Sequence, residues 1–254
     1  MINPKFLLQT GPVLLTEKHA CITSDIPHVW CSYNLIENLD INEHRLHSIP
    51  VGSVEFVKKY CDHVGLQLPK ESISYLPGTT DEFIKRSVRK GVFGDAKEDE
   101  FVKPVAIKSF TGDIKKNLSV DPLEPVWISE AVSFESEFRF YVQTSLDVEV
   151  VGWSRYDDLK VTNPDPDLFF VHAIANKVNK DLGPNAFSVD IGWRPDLQCY
   201  DLVELNDAWS LGFYNNNDPQ SSPPSPKNYT HMLISRWWQL LFCNTIDNLK
   251  FYYD

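Results

Sequence analysis

An expected β-hairpin in the last third of the chain constrains the fold most. Residues 188–192 and 201–207 are predicted strands, and the Arg-Pro-Asp-Leu-Gln run at 194–198 is a predicted turn between them. Side chains alternate between the two faces of a strand, so Glu204 and Asn206 share a face. A register that pairs residues with an even sum places Asp190 opposite Glu204 or one diagonal step away.

The hairpin therefore predicts a metal site. Two carboxylates and one amide oxygen would converge, and like charges this close are unfavourable without a cation between them. A hard divalent cation satisfies three oxygen ligands, and Mg²⁺ carrying nucleotide phosphates fits best. We predict Asp190, Glu204 and Asn206 as its ligands. The alternative is that these residue types fall together by chance in an acidic protein.

Composition excludes several classes of partner. The 254 residues carry a formal net charge of −11, which argues against general binding of nucleic acids. The five cysteines are widely spaced, with no Cys-x-x-Cys pair, so reduced thiols are expected. No stretch reaches the roughly 20 apolar residues of a membrane span. We expect a soluble, cytoplasmic protein without a membrane or nucleic-acid partner, and the sequence does not predict its oligomeric state.

The chain divides into a first α/β part and a later strand-rich part. In the first part, a helix is predicted after Ser53, a candidate N-cap, and a short charged helix at 81–89. The other predicted elements of both parts are strands at 5–10, 28–32, 46–51, 101–107, 126–132, 137–143 and 148–154, and helices at 168–181 and 229–244. No Walker-type or Gly-x-Gly-x-x-Gly motif is present, which disfavours P-loop and Rossmann nucleotide sites.

Two lysines in the middle of the chain are candidate anion ligands. Lys103 interrupts an otherwise apolar predicted strand, where a lysine must either reach solvent or meet an anion. Lys108 opens a Ser-Phe-Thr-Gly run, whose hydroxyls and backbone N–H groups suit a flap over phosphate oxygens. The alternative places both lysines on an exposed edge strand.

Two arginines and a short apolar run complete the candidate residues. Arg139 and Arg155 lie on or near the ends of predicted strands, and a bidentate arginine suits phosphate or carboxylate oxygens. The alternative for each is an ion pair with Glu135, Glu137 or Asp157. Residues 127–132 could present backbone groups and a carboxylate to an adenine and a ribose.

In this order, the segments resemble the ATP-grasp superfamily. The similar segments are Phe-Val-Lys-Pro at 101–104, Lys-Ser-Phe-Thr-Gly at 108–112, Glu-Phe-Arg at 137–139, Gly-Trp-Ser-Arg-Tyr at 152–156 and Val-Glu-Leu-Asn-Asp-Ala-Trp-Ser at 203–210. They look most like a clade marked by an arginine and paired lysines. Residues 49–56 are similar to part of the domain that often precedes the ATP-grasp fold.

The resemblance implies an α+β fold in which two α+β lobes clasp a nucleotide after a small α/β domain. The expected bounds are 1–95 for the first domain, 96–142 for the small lobe and 143–254 for the large lobe with the metal site. The resemblance also implies ATP and Mg²⁺. The implied residues are Lys103 and Lys108 on adenine or phosphates, Ser129, Glu130 and Val132 at the hinge, Arg139 and Arg155 facing phosphates or an acyl-phosphate, and Asp190, Glu204 and Asn206 on Mg²⁺.

The implied activity is that of a ligase that forms a carbon–nitrogen bond. Such enzymes transfer the γ-phosphate of ATP to a carboxylate, and an amine then attacks the acyl-phosphate. The acceptor would be a small molecule such as an amino acid, a peptide or a protein, bordered by residues 152–156 and 209–217. Two alternatives stay open: a non-catalytic nucleotide-binding assembly module, and a kinase of a small molecule.

Overall fold

The computed structural model describes residues 4–11, 15–144, 147–157, 164–181, 183–216 and 218–250. These residues form three β-sheets that follow one another along the sequence, together with five α-helices. The expected α+β class is confirmed. Cys21, Cys31, Cys61 and Cys199 are free thiols.

The N-terminal sheet is parallel, with the strand order β2-β1-β3. Its strands are β1 (Lys5–Gln9), β2 (His28–Cys31) and β3 (Ser48–Val51), close to the predicted bounds. Parallel strands need crossover connections, which contain α1 (Leu15–Thr23) and α2 (Ile41–His44). The first helix is thereby placed between the sheet and the C-terminal part of the chain.

The third helix, α3 (Val54–Val64), begins at the predicted N-cap. The Ser53 hydroxyl accepts the Phe56 N–H at 3.2 Å, which satisfies one of the free amides of the first turn. The helix ends at Gly65, whose φ of 69° is left-handed and suits a residue without a Cβ. Its apolar face packs into the N-terminal core, so its first turn is held beside the end of β3.

The middle sheet is antiparallel and has the order β4-β7-β5-β6. Its strands are β4 (Val88–Val92), β5 (Phe101–Pro104), β6 (Asp113–Ile114) and β7 (Pro125–Ser129). Val102, Val126 and Ile128 form its buried apolar face. The strands predicted at 101–107 and 126–132 are therefore present but shorter.

The charged helix predicted at 81–89 is wrong. Residues Asp81–Phe83 form a single 3₁₀ turn, and β4 follows as an edge strand paired with β7. The charges that suggested a solvated helix are instead paired across the sheet surface: Arg89 binds Glu100 and Lys90 binds Glu71. Backbone pairing with β7 overrides the local preference of a charged run.

The third sheet is antiparallel, with the order β11-β10-β8-β9. Its strands are β8 (Glu137–Gln143), β9 (Glu149–Arg155), β10 (Ala186–Arg194) and β11 (Cys199–Asp207), which confirm the predicted hairpin. Helix α4 (Leu168–Lys180) packs its apolar face against this sheet.

Alternation along β8 separates the two faces of the third sheet. Phe138, Phe140 and Val142 pack in the apolar cluster that includes α4. Glu137 and Arg139 therefore lie on the opposite face, the face that also carries the polar side chains of the hairpin. A sheet with one apolar and one polar face thus supplies the floor of the site.

The C-terminal helix, α5 (Pro226–Lys250), joins the core of the N-terminal sheet through Tyr229, Leu233 and Trp237. The loop before it passes over β9, where a Cβ at Gly152 would lie 2.4 Å from the Pro224 nitrogen. Only glycine fits this approach. No helix among the described residues is both long and apolar enough to cross a membrane.

Strand pairing suggests lobe bounds that differ from those expected at 96 and 143. Strand β4 belongs to the middle sheet, and β8 belongs to the third. We therefore propose a small lobe that spans Val88 to Ser129 and a large lobe that begins at Glu137.

Candidate active site

A cleft of about 890 Å³ lies between the middle and third sheets. Its walls come from β5, the loop after β5, the segment that joins β7 to β8, and β11. Of the residues predicted from sequence, those that line it are Lys103, Lys108, Ser129, Glu130, Val132, Glu204 and Asn206. Arg139, Arg155 and Asp190 do not line it.

The hairpin register is the even one. Asp190 pairs with Glu204 and Ser188 with Asn206, so the three predicted ligands share a face. The Asn206 amide donates to Asp190 Oδ2 and to Glu204 Oε1, each at 3.1 Å. The register shifts directly after Asp190, so that Val203 is the extra residue of a bulge. The bulge lies immediately before Glu204 and turns that strand beside the cleft.

Lys103 and Glu204 connect the two walls of the cleft by an ion pair. The lysine ammonium also lies 5.4 Å from the centre of the Tyr75 ring. Burial opposes ionisation of Glu204, but the Lys103 ammonium and then Arg139 and Asn206 outweigh it and lower the pKa of Glu204 to about 2. The cleft thus holds a cation and an anion that neutralise each other across it.

Lys108 is held at the other side of the cleft in a left-handed backbone conformation, with φ of 52°. Its ammonium makes no hydrogen bond or ion pair with the described residues. Although much of the side chain is exposed, loss of water around the ammonium and repulsion from Arg139 lower its pKa. A cation that is unpaired and repelled by its neighbour is suited to an anionic ligand.

The hinge residues have backbone groups to offer. Ser129 ends β7 and pairs with β4 and β5. The Glu130 N–H donates to the Ser87 carbonyl at 3.1 Å, while the N–H and carbonyl of Val132 have no partner in the described chain. Free groups in an extended segment beside an apolar strand could bind the edge of a purine ring.

Arg139 is occupied by Asp190. Its Nε donates to Oδ1 at 2.9 Å and its Nη2 to Oδ2 at 2.6 Å, a bidentate pair. The guanidinium also lies 5.0 and 5.6 Å from the ring centres of Tyr214 and Tyr156. Burial opposes its charge, yet Asp190 raises the pKa of Arg139 well above its usual range.

Arg155 forms the ion pair that was its sequence alternative. Its Nε donates to Asp157 Oδ2 at 2.8 Å and its Nη2 to Oδ1 at 3.0 Å. It also contacts the Gln220 side chain and the Phe138 ring. Its predicted catalytic role stays a prediction, since its guanidinium is engaged outside the cleft lining.

Sequence reasoning missed several residues of the cleft. Glu137 lies two positions before Arg139 on the same face, and burial raises its pKa while the Tyr156 hydroxyl donates to it at 2.8 Å. Strand alternation alone could have identified it. Arg86 binds the Asp201 carboxylate and the Leu202 and Val203 carbonyls at 2.8–3.0 Å, which fixes the bulge next to Glu204. No local pattern marks Arg86.

The predicted Mg²⁺ ligands fit the ion in part. Glu204 and Asn206 line the cleft and offer carboxylate and amide oxygens. Asp190 is fully buried behind them and accepts from Arg139, Ser188 and Asn206. Nowhere in the described ranges do three His, Cys, Asp or Glu side chains form a group that could hold a metal. Lys103 takes the place beside Glu204 that a cation would otherwise fill.

Comparisons with solved structures agree with the fold. D-cycloserine synthetase DcsG superimposes with a TM-score of 0.52 at 14% identity, covering 93% of this chain and 99% of that one. The D-alanine-D-alanine ligase from Coxiella burnetii gives a TM-score of 0.46 at 12% identity, covering 97% and 99%. The ADP complex of PurK, N5-carboxyaminoimidazole ribonucleotide synthetase, gives 0.47 at 9% identity, covering 81% and 70%. No curated protein matches the sequence.

A family model settles the assignment. Residues 83–221 match the ATP-grasp domain of family 2 in the clade named for one arginine and two lysines. This range contains both central sheets apart from their connections to the N-terminal sheet. The match confirms the expected superfamily and the expected ATP-grasp fold. This chain belongs to family 2 of that ATP-grasp clade.

Proposed function

We propose that the protein is an ATP- and Mg²⁺-dependent ligase that joins a carboxylate to an amine through an acyl-phosphate. One observation carries the proposal: a cleft with Lys103 and Lys108 on one wall and Glu204 and Asn206 on the other. Phosphate needs cations, and a phosphate-bound metal needs oxygen ligands. The cleft presents both on facing elements.

The nucleotide would lie along the cleft from the hinge toward Lys108. The purine edge would bind the free backbone groups of Val132, with Glu130 near the ribose. Lys103 would move from Glu204 to a phosphate, and Lys108 would bind the terminal phosphate. The loop between them is a suitable flap, because a Cβ at Gly112 would approach Lys103 and Phe101 within 2.9 Å. That close packing holds β6 against β5.

Glu204 and Asn206 would hold Mg²⁺, which when bound offsets charge on the phosphates. Asp190 would act through its hydrogen bond with Asn206, because Arg139 already binds both of its oxygens. Arg139 would keep Asp190 ionised and add positive potential near the terminal phosphate. Arg155 would support the same end of the cleft through Asp157, whose Oδ2 accepts the Glu137 N–H at 2.8 Å.

The test is acceptor-dependent release of ADP, followed by the mass of the product. We expect turnover with an amino acid, peptide or protein acceptor, and a product that has lost water relative to its two substrates. Glu204→Gln should abolish turnover with folding intact. Glu71→Gln is the matched control, because Glu71 forms an exposed ion pair with Lys90 outside the cleft lining.

Other outcomes distinguish the alternatives. A stable phosphorylated product would identify a kinase of a small molecule. Nucleotide binding with no ADP release for any acceptor would identify a binding module. Full turnover in Glu204→Gln would refute the assignment of Glu204 to the metal.

A further inference from the structure

A second cavity of about 290 Å³ adjoins the cleft. It lies between the end of β3, the first turn of α3, the segment after β11 and helix α5. Glu55, Lys108 and Ser210 line both cavities. A ligand in the smaller cavity would therefore adjoin the terminal phosphate of a nucleotide placed as proposed above.

A buried acid lines this cavity without a cation. Glu17 is 4% exposed, and its oxygens accept the Phe213 N–H at 2.8 Å and the Thr16 hydroxyl at 3.1 Å. In the described part of the chain no Lys, Arg or His nitrogen lies within 4 Å of it. A buried carboxylate with no positive partner is costly, and an ammonium group on a ligand would offset that cost.

Two buried donors on the same lining also lack partners. Trp209 and Trp237 are 6% and 3% exposed, and neither indole N–H has an acceptor among the described residues. A buried N–H without an acceptor costs about 1–3 kcal/mol, so such groups are rare unless a ligand or water completes them. The cavity therefore favours a ligand that carries oxygen acceptors as well as an ammonium.

The rest of the lining limits the size and character of the ligand. Ile49, Val54 and Leu233 supply apolar surface. The volume lies at the lower end of the range typical of small-molecule sites, about 300–1,000 Å³. Lys108, at the junction with the cleft, is unpaired within the described chain and can bind a carboxylate there.

We propose that this cavity binds a free α-amino acid with a small side chain, whose ammonium pairs with Glu17 and whose carboxylate lies at Lys108. The proposal rests on the ligase function above and names its donor. A carboxylate oxygen attacks the γ-phosphorus of ATP, the bond from that phosphorus to the β–γ bridging oxygen breaks, and ADP leaves. The amine of the second substrate then attacks the acyl carbon, phosphate leaves, and the amine proton passes to water.

Calorimetric titration of the full chain without nucleotide tests the site directly. The probes are alanine, serine and valine in both enantiomers, with propionate as the analogue without an ammonium. At least one amino acid should bind at least about tenfold more tightly than propionate, the ratio expected when a charged hydrogen bond is lost. Failure of all the amino acids to bind, or equal binding of propionate, would overturn the proposal.

Two variants test the residues. Glu17→Gln keeps an acceptor for the Phe213 N–H but removes the charge, so affinity for the amino acid should fall at least about tenfold. Glu37→Gln is the matched control, because Glu37 forms an exposed ion pair with Lys59. Trp209→Phe keeps the aromatic ring and removes the N–H, and a several-fold loss is expected. Unchanged affinity in Glu17→Gln, or in Trp209→Phe if Glu17→Gln fails to fold, would contradict the assignment.

The proposal and the ligase function fail in different ways. Glu17→Gln should raise KM for the amino acid and leave KM for ATP unchanged. If wild-type protein binds ATP but no amino acid, the donor site is wrong and the nucleotide cleft stands. If it binds the amino acid but not ATP, the ligase function is wrong, and the cavity assignment stands on the nucleotide-free titration.

Discussion

The ion pair between Arg139 and Asp190 should be a large contributor to stability in the absence of nucleotide. The two side chains are 10% and 0% exposed and form a bidentate contact. Removal of one partner leaves an uncompensated buried charge, which costs about 3–5 kcal/mol. Arg139→Gln should therefore lower the thermal midpoint by about 6–20 °C in a chain of this size.

Calorimetry or circular dichroism of nucleotide-free protein measures this shift. Arg89→Gln is the matched control, because its pair with Glu100 is 45% exposed at the arginine and should contribute about 0–1 kcal/mol. Asp190→Asn should also be destabilising, and the double variant should recover about 2–3 kcal/mol of the summed loss.

Two results would refute the reasoning. A shift for Arg139→Gln no larger than that for Arg89→Gln would show that Asp190 does not depend on the guanidinium. Restoration of the midpoint by millimolar Mg²⁺ alone would show that Asp190 binds the metal directly, contrary to its proposed action through Asn206.

Three further predictions concern pH and packing. The pKa of Lys108 is lowered, so its charge is lost as pH rises, below the usual value of 10.5; KM for ATP should rise on that alkaline limb, and Lys108→Arg should remove the limb. An identical limb in both proteins would exclude Lys108 as its source. The pKa of Glu204 is lowered from 4.5 to about 2, so its stabilising charge is fully present above about pH 4.5 and is lost as pH falls toward about 2. Urea unfolding of Glu204→Gln should show a flatter acid dependence than wild type, and equal slopes would contradict the assignment. Gly152→Ala should lower the free energy of unfolding by about 1–3 kcal/mol, because its Cβ would meet Pro224; a smaller change in urea unfolding would show that the loop moves aside.

Local sequence patterns predicted much of the fold. The third-sheet strands Glu137–Gln143 and Glu149–Arg155 lie within one residue of their predicted bounds, and the hairpin pairs in the even register. These elements have strong alternation or turn chemistry, so their local preference agrees with their place in the sheet. Strand β4 was missed because its charged residues resemble a solvated helix, and only pairing with β7 makes it a strand.

The site was predicted where its residues lie on one motif and missed where distant segments meet. Asp190 and Glu204 share a hairpin, so their proximity follows from register. Arg139 joins Asp190 only because β8 pairs with β10, a neighbour relation that strand patterns do not specify. Glu17 reaches the Phe213 N–H across 196 positions of sequence. Long-range packing decides such contacts, and a single sequence carries no local signal for them.

Binding of ATP with Mg²⁺ to the Lys103 variant tests the central claim most directly. Lys103→Met removes the cation that spans the cleft, and Lys90→Met is the matched control on an exposed position of the same sheet. Titration calorimetry should show ATP binding to wild type and to Lys90→Met, and at least about tenfold weaker binding to Lys103→Met, as for loss of a charged hydrogen bond. Equal affinity in all three proteins would contradict the placement of the nucleotide in this cleft.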